Sequence, residues 1–411
     1  MRKTLVILFL IGLSSLAAAA WESIGPEGGY IRSLVVSSSD ANLIYGATYY
    51  SPCKIVKSTD GGETWNQVGS YGNTNYCMAI DPNNDNNLYA GTYYYVYRST
   101  DGGVSWSSST TNGVYVYGLA VNPANSSIIY GAGRRYVSTG NYAMAFLKST
   151  NSGVSWTTTD IVSGGYCYGW CVAVDPSSPN TVYVGGSSYS GTYTPKVFKS
   201  TDGGSTFTEV FSGSAGYYVY SVAVHPGNSN IVYVGTYLDG IYRTTNGGST
   251  WSKVHTGNYN YRMATTPADP DLVFSSGYYY VYRSTNAGAS WSTVTSGLPT
   301  GGTYYGLAIN AMNASEVYLG ERSGVFKSTN TGNSWYESNN GLLLADIIAL
   351  RAAPSQPSTV YITFEDVGVY KTTNNGSEWN KLPSFSSCGD MNDFWIHNAD
   401  PNTVIAIEGL G

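Results

Sequence analysis

Short runs of β-branched and aromatic residues recur along the chain, separated by clusters of Gly, Asn, Asp, Ser and Pro. The alternation inside runs such as YVYGLAV (Tyr115–Val121) predicts half-buried strands, and the clusters between them predict turns. One kind of run returns eight times, as IVKS, VYRS, FLKS, VFKS, IYRT, VYRS, VFKS and VYKT. Each is followed by an octet of turn residues and then by a further run, so the octet must reverse the chain between two antiparallel strands.

The octets are variations on STDGGETW, which ends at Trp65; later copies end at Trp106, Trp156, Phe207, Trp251, Trp291, Trp335 and Trp379. Their acid or amide positions, Asp60, Asp101, Asn151, Asp202, Asn246, Asn286, Asn330 and Asn374, lie 40 to 51 residues apart. Self-similarity of that length marks a repeat architecture. Asp or Asn beside Gly tolerates positive φ and bonds to nearby backbone N–H groups, as do the Ser and Thr hydroxyls. A carboxylate engaged in its own turn is a poor proton donor, so these positions read as structural. The closing aromatic ring is expected to bury against its own sheet.

A second signature precedes each octet: MAIDP (78–82), LAVNP (119–123), VAVDP (172–176), VAVHP (222–226), MATTP (263–267) and LAINA (307–311), degraded at LVVSS and LRAAP. With the strand that follows, the strand before the octet and the strand after it, each unit holds four short antiparallel strands. That is the content of a propeller blade. Asp81, Asp175 and His225, at the ends of first strands, read as turn-formers.

The octets resemble the Asp-box, or BNR repeat, of sialidase-like and sortilin-like β-propellers; only the copy at Trp379 departs, with Glu378 in place of the hydroxyl residue before Trp. The resemblance implies an all-β propeller of four-stranded antiparallel blades, eight repeats plus an incomplete ninth unit, spanning 21–411. It also implies that the octets lie away from the ligand-binding face. The superfamily includes sialidases, sortilin-type receptors, xyloglucanases and photosystem assembly factors. Trp21–Ile24 looks like a strand that closes a ring, and TVIAIEGLG ends where a ninth octet strand should begin, so the expectation is either an incomplete last blade or, favoured because Cys388 also wants a partner, a fragment of a longer protein.

Residues 1–20 carry Arg2 and Lys3, an apolar run and three closing alanines, the form of a secretory signal. The run is too short to span a bilayer, so the mature chain is expected to be secreted, at the cell surface or periplasmic, without membrane insertion. Losing Arg2 and Lys3 takes the formal charge from −6 to −8 on a chain only 11% charged, which argues against nucleic acid as a partner. Cys53, Cys77, Cys167, Cys171 and Cys388 are odd in number, which leaves one thiol free or pairing elsewhere. Cys167 and Cys171 stand about 13 Å apart along one strand, too far to bridge. No metal or cofactor signature is present.

The chain has 39 tyrosines. Most fall between the second and third strands of a unit or between its last strand and the next unit, connections that share the rim opposite the octets. Three residues before each signature Ala stand Tyr76, Tyr117, Trp170, Tyr220, Tyr261 and Tyr305. Around an axis they would form an aromatic collar suited to a sugar or peptide, although large residues at such positions also pack blade against blade. The long loop of the third unit carries Arg134 and Arg135, which could meet an anionic group, although adjacent arginines in a loop are more often solvated. Glu321, Glu365 and Glu408, each three residues before a Gly in successive units, would line an arc of the rim as candidate glycosidase carboxylates or as solvated side chains.

The reading is therefore a non-enzymatic exported propeller that binds a glycan or extracellular protein. A glycoside hydrolase resembling sialidases or xyloglucanases is the first alternative, and an assembly factor resembling the photosystem propellers the second. Sialidases typically carry Arg-Ile-Pro, which is absent here. Xyloglucanases typically carry a catalytic Asp in a segment whose counterpart, YGATYYSPCKIVKS, has no acid.

Overall fold

The computed structural model describes residues 29–342, 347–364, 368–374, 376–382, 391–396, 400–402 and 404–408. The expected export signal (1–20), Trp21–Ile24, Glu365 and Cys388 lie outside them. Among the described residues every regular element is a strand, and no helix is long and apolar enough to cross a membrane. Six sheets have four antiparallel strands in sequence order, as the repeat predicted. Units 2 and 3 instead share one long strand, Ser107–Val121, and so form a single seven-stranded sheet.

The innermost strands of successive units pack side by side: Ile31–Val36, Cys77–Asp81, the end of Ser107–Val121, Tyr168–Val174, Val219–Val224, Arg262–Thr266 and Gly306–Ile309. The seventh then packs against the first, and one apolar cluster joins Ile31, Leu34 and Trp65 to Ala308, Tyr318 and Val325. The contacts at this junction repeat those between earlier neighbours. The Trp251 indole N–H donates to Val210 O (2.7 Å) and that of Trp335 to Val294 O (2.9 Å), each in the preceding unit. Trp65 donates in the same way to Ser338 O (2.8 Å) of unit 7. Tyr318 of unit 7 donates to Gly61 O (3.0 Å), and Lys327 pairs with Glu63 (2.7 Å). Seven units thus close a ring. Units 8 and 9 stand beyond that closure and link to each other, Tyr361 Oη donating to Pro401 O (2.7 Å) and Lys371 to Asn402 (2.6 Å).

The closing tryptophans therefore correct one sequence expectation. Trp65, Trp251 and Trp335 bond to the neighbouring unit rather than only to their own sheet, Trp156 donates to Ser109 Oγ on the strand that units 2 and 3 share, and Trp106 and Trp291 donate to a carbonyl in their own octets. The octet itself is a closed hydrogen-bond device. In the copy at Asp101 the Ser99 hydroxyl donates to the carboxylate (2.8 Å) and accepts from Gly103 N–H (2.9 Å), while Ser105 donates from backbone N–H (2.9 Å) and hydroxyl. Gly102 and Gly103 take φ of 69° and 87°, which suits residues without a Cβ.

Those bonds, the Ser105 hydroxyl foremost, hold the Asp101 carboxyl at about 2. A carboxyl whose folded pKa lies below its unfolded value adds stability above about pH 4, and that contribution is lost as pH falls through about 2. Asn serves equally at other copies: Asn151 Oδ1 accepts Ser155 N–H (2.9 Å) and its Nδ2 donates to Ser155 Oγ (2.8 Å). Asp101→Asn is accordingly expected to leave stability at pH 7 within about 0.5 kcal/mol, with a shallower acid limb, in urea titrations from pH 7 to 2. Loss of the fold in that variant would contradict the structural role.

Candidate functional site

Register places the two ends of each blade. In unit 1, Ile44 pairs with Ser58 next to the octet, while Ile31 pairs with Thr48 and Cys53 with Tyr71 at the other end. Octets and tyrosine connections therefore occupy opposite rims.

Four innermost strands carry a β-bulge just below the tyrosine rim. Pairing skips between Ile31 and Ser33, Val116 and Gly118, Gly169 and Cys171, and Val219 and Ser221. The skipped residues are Arg32, Tyr117, Trp170 and Tyr220, and a bulge re-aims the extra side chain. In the other units Tyr76, Tyr261 and Tyr305 stand just before the strand, with backbone N–H bonded to Gly91 O, Ser276 O and Gly320 O.

All six aromatic residues read from the sequence come together here. Ring centroids run from Tyr76 to Tyr117 (5.1 Å), Trp170 (4.6 Å), Tyr220 (5.1 Å), Tyr261 (5.3 Å) and Tyr305 (5.4 Å). The Arg32 guanidinium lies 4.1 Å from the Tyr305 centroid and 5.4 Å from that of Tyr49, which is 6.1 Å from Tyr76, so the annulus closes. Arg32 is the seventh member of the collar. The signature Ala of later units pairs with Tyr89, Tyr130 or Tyr183 as Val35 pairs with Tyr45, and Arg32 lies three residues before Val35.

The annulus lines a well of about 460 Å³ with Tyr30, Tyr49, Tyr50, Arg262 and Arg322. No carboxylate is among its described lining residues. Burial pushes the phenols of Tyr117, Tyr220 and Tyr261 well above their ordinary value, so they stay protonated hydrogen-bond donors. One layer deeper the ring is walled by Ser33, Cys77, Gly118, Cys171, Ser221 and Gly306, all small, and by Arg262. Arg262 reaches across the axis from unit 6 to donate to Tyr76 O (3.2 Å) of unit 2. Burial, and then the Arg32 charge, lower its pKa to about 10, so it remains cationic at neutral pH.

Outside the well the rim is a field of tyrosines. Tyr94, Tyr259 and Tyr279 take φ of 64°, 59° and 70°, a backbone that bulky residues rarely adopt, at a cost of roughly 1–3 kcal/mol each. Tyr93, Tyr95, Tyr136, Tyr166 and Tyr280 are exposed.

The remaining sequence candidates fare differently. Arg134 and Arg135 lie on a strand, Ile129–Ser138, because the long connection of unit 3 is a tall hairpin with Asn141–Ser149. Arg135 pairs with Asp160, and the Arg134 guanidinium is boxed by Tyr115, Tyr142 and Tyr168 at 4.5–4.9 Å, so neither is the open loop cation expected. Glu321 is buried and accepts from the N–H (2.7 Å) and hydroxyl (2.6 Å) of Ser323 in a tight turn, which makes it neither solvated nor aimed at the well. Glu408 ends the strand Val404–Glu408 of unit 9, beyond the ring that contains Glu321, and Glu365 lies outside the described residues. Asp81 holds its turn through Asn83 N–H (3.0 Å) and also accepts the Ser126 hydroxyl (2.6 Å) of the next unit. The four described cysteines are buried free thiols, so the single odd thiol expected from the count becomes at least four.

No family model and no curated protein matches the chain. Solved structures do. The GH74 enzyme of Niastella koreensis is 20% identical over 93% of this chain and 70% of its own, with a TM-score of 0.64. The GH74 xyloglucanase of Xanthomonas campestris is 14% identical over 88% of this chain and 68% of its own, also at 0.64. YCF48 of Cyanidioschyzon merolae is 14% identical over 77% of this chain and all of its own, at 0.53, and a YCF48 bound to a D1 peptide is 12% identical over 74% and 95%, at 0.52. At these identities the likeness shows a shared fold, the β-propeller.

Proposed function

We propose that this chain is an exported recognition propeller of the Asp-box kind, which takes a glycan or an extracellular polypeptide on the tyrosine rim opposite its octets. The observation that carries this reading is the closed annulus of six aromatic rings and Arg32 around an axial well. Flat faces with phenol hydroxyls, already ordered by packing, bind at low entropic cost. The fold hosts both chemistry and plain binding among its neighbours, a xyloglucanase and a peptide-bound YCF48.

A hydrolase at this well is the less favoured reading because glycoside cleavage generally needs a pair of carboxylates. None is among the described residues that line the well, and Glu321 is committed to its turn. The purified chain, screened against oligosaccharides and extracellular polypeptides, is expected to bind without releasing reducing sugar. Sugar release that disappears in Glu321→Gln would replace recognition by catalysis.

A further inference from the structure

We propose that Tyr94 and Tyr115 form an oxidative coupling site, where a peroxide-dependent one-electron oxidant joins the two phenols into dityrosine, whatever ligand the rim takes. Tyr93 pairs with Tyr115 and Tyr95 with Thr110, so Tyr94 is left over as a bulge in the strand Tyr93–Ser99. Its φ of 64° is a conformation that a bulky residue adopts only at a cost in free energy. A bulge re-aims its extra side chain, and here it brings phenols together. The Tyr94 and Tyr115 hydroxyls stand 2.9 Å apart, with ring centroids 4.8 Å apart. The Tyr115 ring is held in turn by the Arg134 guanidinium, 4.7 Å from its centroid, and by the edge-to-face ring of Tyr93 at 4.8 Å. Tyr94 is 41% exposed, so an oxidant in solution reaches it.

Each phenol gives up the hydrogen atom of its O–H bond, and hydrogen peroxide takes both hydrogens as its O–O bond breaks to give two waters. The unpaired electron of a phenoxyl spreads onto the ring carbons ortho to oxygen. A bond between the two oxygens is too weak to persist, so the lasting bond joins two ortho carbons. The hydrogens on those carbons then move to the oxygens, which restores both phenols and leaves the product lighter by two hydrogens. Rings already in contact couple faster than rings that must meet from separate molecules. Tyr278 and Tyr279 share a similar phenol contact (2.6 Å), but they are chain neighbours, and a bond between their rings would close a small, strained macrocycle. Tyr94 and Tyr115 are 21 residues apart, so their bond closes a loop and confines the unfolded chain as a disulfide does. The four described cysteines are free thiols and supply no such staple.

The test is oxidation of the dilute, unaltered protein by a haem peroxidase and hydrogen peroxide, followed by dityrosine fluorescence, the mass of the monomer and peptide mapping. Trypsin cuts after Arg98 and so parts Tyr94 from Tyr115 unless the two are bonded. The expected result is a monomer lighter by two hydrogens, with peptides 58–98 and 99–134 joined through Tyr94 and Tyr115 and the midpoint of urea unfolding moved upward. Tyr94→Phe and Tyr115→Phe keep the rings and remove the phenols, and each is expected to lose both the joined peptides and the shift in midpoint. Near-ultraviolet circular dichroism checks that each variant folds; the mapping of the unaltered protein stands without any variant. Joined peptides that persist in Tyr94→Phe, dityrosine found only in covalent dimers, or no dityrosine at all would overturn the proposal. Joined peptides with an unmoved midpoint would overturn the staple.

Discussion

Trp65→Ala is expected to lower the unfolding free energy by about 3–5 kcal/mol, the usual cost of removing a buried tryptophan. The indole of Trp65 is 1% exposed and lies in the cluster that joins unit 1 to unit 7. Its N–H donates to Ser338 O, and its backbone N–H donates to Asn340 O (2.8 Å). Truncation therefore leaves a cavity and an unpaired carbonyl at the one junction that chain continuity does not hold. Trp106→Ala is expected to cost less, because that ring is only partly buried and its N–H serves its own octet through Gly103 O (2.9 Å). Urea denaturation of both variants measures the difference. Equal losses would mean that the first and seventh units do not depend on the Trp65 staple.

The second large effect is expected at Gly186. A Cβ there would stand 1.8 Å from Tyr168 O and 2.8 Å from Tyr168 C, backbone atoms that move only with their strand. Gly186 faces Gly169 where the inner strand bulges to turn Trp170 toward the axis. Gly186→Ala is expected to destabilise by about 3 kcal/mol, as overpacking does, and also to disturb the stack of Trp170 on Tyr168 (centroids 5.1 Å). Urea titration reads the first effect, and the near-ultraviolet dichroism of Trp170 and its tyrosine neighbours reads the second. A variant with native stability and spectrum would show that the bulge does not need the bare glycine.

The octets were legible because their chemistry is local: Asp or Asn, Gly and hydroxyl residues at fixed offsets specify the turn without help from distant chain. The six-ring collar was legible for a related reason, since the signature Ala fixes the register of Tyr76 through Tyr305. Arg32 escaped because unit 1 has Val35 where the other units have Ala, although the strand pairing is the same. Arg262 escaped because the position after the collar residue is small in the other units and carries no pattern of its own. The bulges that aim Tyr117, Trp170 and Tyr220 leave little trace in composition. Ring closure at seven was hidden for a different reason. Eight similar units state how neighbours pack, whereas closure depends on the rotation accumulated from one blade to the next.

Recognition is assigned to the tyrosine rim and not to the octet rim. Affinities of Tyr117→Ala, Tyr220→Ala and the octet variant Asp101→Asn for one ligand found in the binding screen decide it most directly. Both collar variants are expected to lose roughly tenfold or more while remaining folded, about 1.4 kcal/mol each, and Asp101→Asn is expected to bind as the unaltered protein does. Undiminished binding by the collar variants, together with loss in Asp101→Asn, would place recognition on the octet rim and contradict the account.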